Sequence, residues 1–172
     1  MNLLEQETQP AELSYREIPL TQGKVAIVDA ADYEALAQFK WHVGKYKGFK
    51  SSYALRHAPT DNGKRYVVRM HRQILNAATD VHVDHRDGNG LNNRRDNLRA
   101  ATPSQNQYNQ KAHANNTAGF KGVSFDKRIG KWSARIQVSK RGLWIGYFGT
   151  SEEAGAAYIE AAKRLHGEFA NW

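Results

Sequence analysis

The sequence predicts an α+β protein: an N-terminal α/β scaffold, a short hairpin or Ω-like loop leading into one helix, and a small three-stranded antiparallel sheet packed on a last helix. Three observations carry that prediction. Short apolar runs bounded by turn residues recur at KVAIVD, SSYALRH, RYVVRMH and VHVDH, the pattern of half-buried strands. GVSFD, KWSARIQVS and LWIGYF follow one another, broken only at RIGK and KRG. Thr102 with Gln105, and Thr150 with Glu153, form two capping boxes, so a helix is expected after each threonine.

In chain order, residues 13 to 70 read as scaffold. KVAIVD ends at Asp29, which is placed to cap a helix starting near Ala30, and Tyr33, Leu36 and Ala37 then recur at helical spacing that fades by Trp41. Between SSYALRH and RYVVRMH, PTDNGK supplies a turn at Asp61, Asn62 and Gly63. His42, His57 and His71 are expected to be structural, with His71, in RMHRQIL, the one that invites attention. VHVDH then puts Val81 and Val83 on one face before the glycine-rich turn RDGNG. Thr102 caps the next helix with Pro103 in its first position, so that Asn106 falls in the first turn and Asn109 on the same side. A linker is expected over residues 112–118, and the last helix ends at Gly167 with an apolar stripe of Ala154, Ala157, Tyr158, Ala161 and Leu165. The expected divisions are 1–69, 70–111, 112–118 and 119–172.

Composition narrows the function. The 172 residues, 40% hydrophobic, suffice for one ordinary core or two small ones. A mean hydropathy of -0.74, no apolar run of membrane length and acidic residues in MNLLEQETQP lead to the expectation of a soluble protein in the cytoplasm, without membrane partners. The absence of cysteine excludes disulfides, thiolate zinc sites and cysteine nucleophiles, so any metal must be held by oxygen and imidazole. The net charge of +8 lies entirely beyond residue 60, interleaved with aromatics and amides. That distribution is the electrostatic footprint of nucleic-acid binding.

The segment VDHRDGNGLNNRRDNLRAATPSQNQYNQ concentrates the chemistry. Hydrolysis of a phosphodiester needs a base and a cation: histidine is the usual base near neutral pH, and a divalent metal neutralises the charge that builds on the departing oxygen. His85 is the candidate base. Asp84 and the amide oxygen of Asn106 are hard ligands suited to Mg²⁺ or Mn²⁺, and Asn97 could tie the intervening loop and hold the histidine ring. Because adjacent strand residues point to opposite faces, Asp84 and His85 can share a site only where the strand bends or ends. Against this stands a plainer alternative, in which DGNGLNNRRDN is a solvated loop rich in turn chemistry.

MHRQIL, VDHRDGNGLNNRRDNLR and ATPSQNQYN resemble the HNH endonuclease family, in particular its phage and intron-encoded homing type. The resemblance covers residues 70 to 110 and implies a ββα-metal finger, two strands and a helix, with His85 as general base and Asn97 steadying it. It also implies Asp84 and Asn106 as ligands of one divalent cation, Mg²⁺ or Mn²⁺, with no structural zinc. Asn92 departs from the family's commoner DNR, and Asn106 stands where other branches carry histidine. FKGVSFDKRIGKWSARIQV, LWIGYFGTSEEAGAAY and HGEFANW resemble the plant ethylene-response-factor (Apetala-type) DNA-binding domain, found appended to phage HNH nucleases. That likeness implies a sheet entering the major groove, although Lys121, Ser124 and Asp126 stand where plant members often carry arginines. Alternation packs Trp132, Ala134, Ile136 and Val138 on the helix and turns Ser133, Arg135 and Gln137 outward, with Trp144 and Arg141 beside them. The candidate DNA contacts are therefore Arg94, Arg95, Arg99, Lys121, Arg135, Gln137, Arg141 and Trp144. The expectation is a monomeric endonuclease acting on double-stranded DNA in a phage or bacterial host cell. Its rivals are a DNA-binding regulator with an inactive nuclease fold and an RNA-binding protein, the latter disfavoured because the sheet is expected to lack adjacent exposed aromatics.

Overall fold

The computed structural model describes residues 14–45, 51–60, 63–112 and 116–172. Strand β1 (Tyr15–Pro19) pairs antiparallel with β2 (Val25–Asp29), and helix α1 (Ala30–Ala37) follows directly. Strands β3 (His42–Lys45), β4 (Ser52–Pro59) and β5 (Arg65–Arg69) form an antiparallel sheet in that order. The expected strand RYVVRMH stops at Arg69, because Met70 and His71 begin helix α2 (Met70–Ile74), and both are buried. The turn residues Asp61 and Asn62, and residues 113–115 of the expected linker, lie outside the described residues. Among the described residues no helix is long and apolar enough to cross a membrane.

Strand β6 (His82–His85) pairs with β7 (Leu98–Ala101), and helix α3 (Pro103–Tyr108) packs across both. The Thr102 capping box is fully formed: Thr102 Oγ1 accepts from the Gln105 N–H at 3.2 Å, and Gln105 Oε1 accepts from the Thr102 N–H at 2.8 Å. Strands β8 (Val123–Asp126), β9 (Lys131–Val138) and β10 (Arg141–Phe148) build the last sheet, with β9 central, under helix α4 (Ser151–His166). The Thr150 box is formed as well. Ala134 and Ile136 are buried against α4, with Trp132 and Val138 half-buried, as alternation predicts. Ser133 departs from it: buried, its hydroxyl meets that of Ser124 at 3.1 Å across β8 and β9. Along α4, Ala154, Tyr158 and Ala161 are buried, whereas Leu165 is exposed.

Two apolar cores form. The first runs from Ile18 and Val28 through Trp41, Ala54 and Met70 to Leu98, so the scaffold and the β6–β7 hairpin close over the same buried residues. The second joins Val123, Ala134 and Ile136 to Ala154, Tyr158 and Ala162. A small cluster of Ala101, Tyr108 and Phe169 ties the hairpin and α3 to the chain's last turn.

The loop between β6 and β7 is fixed to the scaffold by backbone. The Ile27 N–H donates to Leu91 O at 2.9 Å and the Asn93 N–H to Ile27 O at 2.7 Å, so the loop adds a parallel rung to β2. It also crosses β4 so closely that a Cβ at Gly90 would lie 2.4 Å from Ser52 O and 2.7 Å from the Tyr53 ring. Only glycine allows that approach. Gly90→Ala is expected to destabilise the fold by about 1–3 kcal/mol, the usual cost of forcing extra volume into a packed contact. Chemical denaturation of the two proteins measures it, and equal midpoints would mean that the loop can lift off β4 at no cost.

Candidate active site and DNA-facing surface

The β6–β7 hairpin separates the two residues expected to work together. Asp84 and Arg99 are opposed in register, and Asp84 Oδ2 accepts from Arg99 Nε at 2.9 Å and Nη2 at 2.8 Å. Its Oδ1 accepts from Asn109 Nδ2 at 3.1 Å, and the same amide donates to His85 O at 2.7 Å. The His85 ring is directed elsewhere, 5.0 Å edge-to-face from His71 and 5.9 Å from Tyr53 between ring centres. His85 ends its strand, yet the two side chains keep separate partners.

His85 Nε2 lies 3.4 Å from Asn93 Oδ1, and Asn93 Nδ2 donates to Leu91 O at 3.1 Å, which orients the amide with its oxygen toward the ring. The tautomer protonated at Nε2 is the one that donates to this oxygen. Nδ1 makes no hydrogen bond among the described residues and is the nitrogen left to accept one. Burial pushes the His85 imidazole below its ordinary range, opposed in part by the Asn93 bond and by the charges of Asp87 and Asp84. It is neutral at neutral pH. His71 is pushed down to about 3, by burial first and then by coupling to the His85 ring and by the charges of Arg69 and Arg72, and its buried Nδ1 has no hydrogen-bond partner among the described residues.

The remaining asparagines organise the loop. Asn97 Nδ2 donates to Asp87 Oδ1 at 3.0 Å and Asn92 O at 2.7 Å, while its Oδ1 accepts from the Asp87 N–H at 3.1 Å. Asn97 thus ties the loop, and Asn93, fully buried, is the residue that meets the histidine. Asn106 is half-buried on α3, and its side chain makes no hydrogen bond among the described residues; Asn109, one turn on, takes the place beside Asp84. The spacing of Asn106 and Asn109 signals a shared side of the helix without saying which reaches the carboxylate. Nothing in the sequence signals Asn93, because its role depends on where the loop crosses β2.

Of the expected DNA contacts, four point inward or to carboxylates. Arg99 is 7% exposed and pairs with Asp84. Asp29, placed to cap α1, makes no cap hydrogen bond; its carboxylate instead accepts from Arg94 Nε at 3.2 Å and the Arg95 N–H at 2.8 Å. The Arg95 guanidinium grips Asp32 through Nε at 2.8 Å and Nη2 at 2.7 Å. Lys121 Nζ donates to Tyr108 O at 2.6 Å and Gln110 O at 2.7 Å, closing the open carbonyls at the end of α3, and burial lowers its pKa to about 8. Arg135, Gln137, Arg141 and Trp144 are exposed on one sheet. Trp144 is opposed to Arg135, whose guanidinium carbon lies 5.4 Å from the indole centre. The expectation of no adjacent exposed aromatics fails: a register shift between Trp144 and Gly146 brings Tyr147 onto the same face, 4.6 Å from Trp144 and edge-on to it.

The HNH endonuclease family matches residues 79–108, the hairpin and α3, and the AP2 domain matches residues 118–168. An uncharacterized HNH endonuclease of Acanthamoeba polyphaga mimivirus is 34% identical over 157 residues, covering 87% of this chain and 74% of the viral protein. The chain belongs to the HNH endonuclease family. Protein 3.8 of Escherichia phage T7 is 36% identical over 110 residues, 60% of this HNH chain and 89% of the phage protein. The AP2 domain is similar to plant factors such as dehydration-responsive element-binding protein 2A of Arabidopsis thaliana, 48% identical over 59 residues, 33% of this chain and 17% of the plant protein. No solved structure matches the chain.

The two neutral histidines give this HNH protein an acid limit. An unfolded imidazole titrates near 6.5, so below that pH the unfolded chain binds protons that the folded chain refuses, and stability falls with falling pH until the folded pKa is reached. For His71 the window runs from 6.5 down to about 3. Each pH unit inside it removes about 1.4 kcal/mol, or about 2 kcal/mol between neutrality and pH 5. Urea unfolding of wild type and His71→Gln at pH 7.5 and pH 5 checks this, with the variant expected to lose less on acidification.

Proposed function

We propose that the protein is a divalent-metal-dependent DNA endonuclease of the homing type, whose AP2 sheet binds the duplex through the major groove with sequence preference. The observation that carries this reading is His85: a buried, neutral imidazole with Nε2 fixed by Asn93 and Nδ1 left to accept a proton. A base needs that state at working pH. His85 Nδ1 takes a proton from water as the water oxygen bonds to phosphorus, the bond from phosphorus to the departing sugar oxygen breaks, and solvent protonates that oxygen. Asn97 and Asp87 keep the loop, and with it Asn93, in place.

The oxygen donors fit a hard cation. An ionised carboxylate has about four lone-pair positions, of which Arg99 and Asn109 take three at Asp84, leaving one on Oδ1. Together with the amide oxygen of Asn106, one turn before Asn109 on the same helix end, this position would offer Mg²⁺ or Mn²⁺ a weak site, with its other positions left to water and phosphate. When bound there, the cation would stabilise negative charge on the leaving oxygen. Among the described residues no group of three or more His, Asp or Glu side chains is placed to hold a metal ion.

A second reading has one observation in its favour. Arg99 already neutralises Asp84, as a metal would, and a protein that uses the hairpin only as structure would be a DNA-binding regulator. Plasmid cleavage with Mg²⁺ or Mn²⁺, with and without chelator, separates the two. Cleavage by wild type is expected, with His85→Ala slower by roughly a hundredfold to ten-thousandfold and its DNA binding retained. The acid limb of the rate profile should lie below the ordinary imidazole range. Binding without cleavage under either metal would favour the regulator.

The sheet reading has its own test. Arg135→Ala with Trp144→Ala is expected to weaken DNA binding and flatten its salt dependence, by about one unit of log K against log salt for each phosphate that is no longer neutralised. Gel shifts at two salt concentrations measure both, and an unchanged slope and affinity would assign this face to another partner.

A further inference from the structure

The residues that hold Asp84 are themselves held from the end of the chain. Arg99, whose Nε and Nη2 grip Asp84, donates through Nη1 to Glu168 O at 2.5 Å, and its guanidinium carbon lies 3.8 Å from the centre of the Phe169 ring. Glu168 Oε2 also accepts from Arg86, two residues after Asp84, at 2.8 Å. Asn109, the other donor to Asp84, is gripped by Asn171, whose Nδ2 donates to Asn109 O at 2.8 Å and lies 3.3 Å from its Oδ1. Phe169 is buried with Ala101 and Tyr108, and the Tyr108 ring lies flat on His166, 3.8 Å between centres and 4° from parallel. Tyr108 also accepts at its hydroxyl from the Ser139 N–H at 2.7 Å.

We infer that Glu168, Phe169 and Asn171 are positioning residues of the nuclease site, setting the Asp84 carboxylate through Arg99 and Asn109. The inference rests on the endonuclease reading. Arg99 and Asn109 lie in the stretch that resembles the HNH family, and Glu168, Phe169 and Asn171 in the stretch that resembles the Apetala-type domain. The contacts are therefore the property of this combination of units rather than of either one. Their direction is informative: an exposed tail contacting a flat surface would touch apolar atoms wherever it fell. Here a backbone carbonyl, an aromatic face and an amide each meet one of the groups that satisfy a single buried carboxylate. The C-terminal unit thus does more than tether the nuclease to DNA, because its last residues complete the surroundings of Asp84.

Groups that orient a metal-site carboxylate typically change metal affinity or activity by roughly 10- to 100-fold when removed. The experiment compares full-length wild type, Phe169→Ala, Phe169→Tyr and Asn171→Ala. Plasmid cleavage, Mn²⁺ binding by direct titration without DNA, DNA affinity by gel shift, and amide hydrogen exchange at β6 and α3 are measured for each. Phe169→Ala and Asn171→Ala are expected to lose roughly 10-fold or more in Mn²⁺ affinity and cleavage, with faster exchange at Asp84 and His85. DNA affinity should be unchanged, and Phe169→Tyr, which keeps a ring over Arg99, should restore both losses. Wild-type Mn²⁺ binding and cleavage in Phe169→Ala and Asn171→Ala would overturn the inference, as would a cleavage loss with metal affinity unmoved. A wild type that cuts with neither metal would overturn the endonuclease reading itself, a result the variants cannot produce.

Discussion

The buried pair between Asp84 and Arg99 is the constraint around which the rest of the molecule is arranged. Both side chains are nearly inaccessible, and both come from a two-stranded hairpin too small to enclose them. Removing charges from water is expensive, and the pair is tolerated only when the remaining hydrogen-bonding positions are satisfied. Asn109 satisfies one carboxylate oxygen from α3, and Glu168 O satisfies the third guanidinium direction from the turn after α4. Phe169 then covers the guanidinium face. Breaking such a pair from one side typically costs about 3–5 kcal/mol, because the partner is left charged and buried.

Strand parity explains how one hairpin serves two environments. Asp84 faces the C-terminal unit, and His85, the next residue, faces the scaffold, where it meets His71, Tyr53 and Asn93. The scaffold therefore lowers the proton affinity of the imidazole through burial, and the C-terminal unit contacts Arg99, the partner of the carboxylate. Neither could do the other's work, since a strand presents adjacent side chains to opposite sides. His71 belongs to this division: neutral and without a partner at Nδ1, it packs beside His85 as a ring that brings no positive charge to it near neutral pH.

Local chemistry was legible in the sequence; what depended on approach between distant segments was not. Both capping boxes formed where Thr102 and Thr150 predict them, because a cap is decided by residues three apart. The strands of the last sheet fell at their expected runs, and Ala134 and Ile136 at their expected depth. Asp29 shows the limit: locally it is a helix cap, but the fold brings Arg94 and the Arg95 backbone to its carboxylate from 65 and 66 residues away. The site shows the same limit. Asp84, His85, Asn97 and Asn106 could be singled out by residue type and spacing, whereas the parts of Asn93 and Asn109 follow from a loop crossing β2 and a helix crossing β6.

The fate of the basic residues follows from the same distinction and bears on how DNA would be held. Composition places the excess charge beyond residue 60 without saying which cations are committed to carboxylates. Arg94, Arg95 and Arg99 are paired with Asp29, Asp32 and Asp84, and Lys121 with carbonyls at the end of α3. Arg135 and Arg141 form no ion pair among the described residues and stand with Gln137 and Trp144 on an exposed sheet. Uncommitted charge is what releases counterions on meeting phosphate, so DNA affinity would fall to the C-terminal unit while the hairpin would supply the proposed chemistry. Since that unit also ends in the residues that hold Arg99 and Asn109, the element that would seat the duplex and the element that orders Asp84 are one continuous piece of chain, joined through the α4 helix.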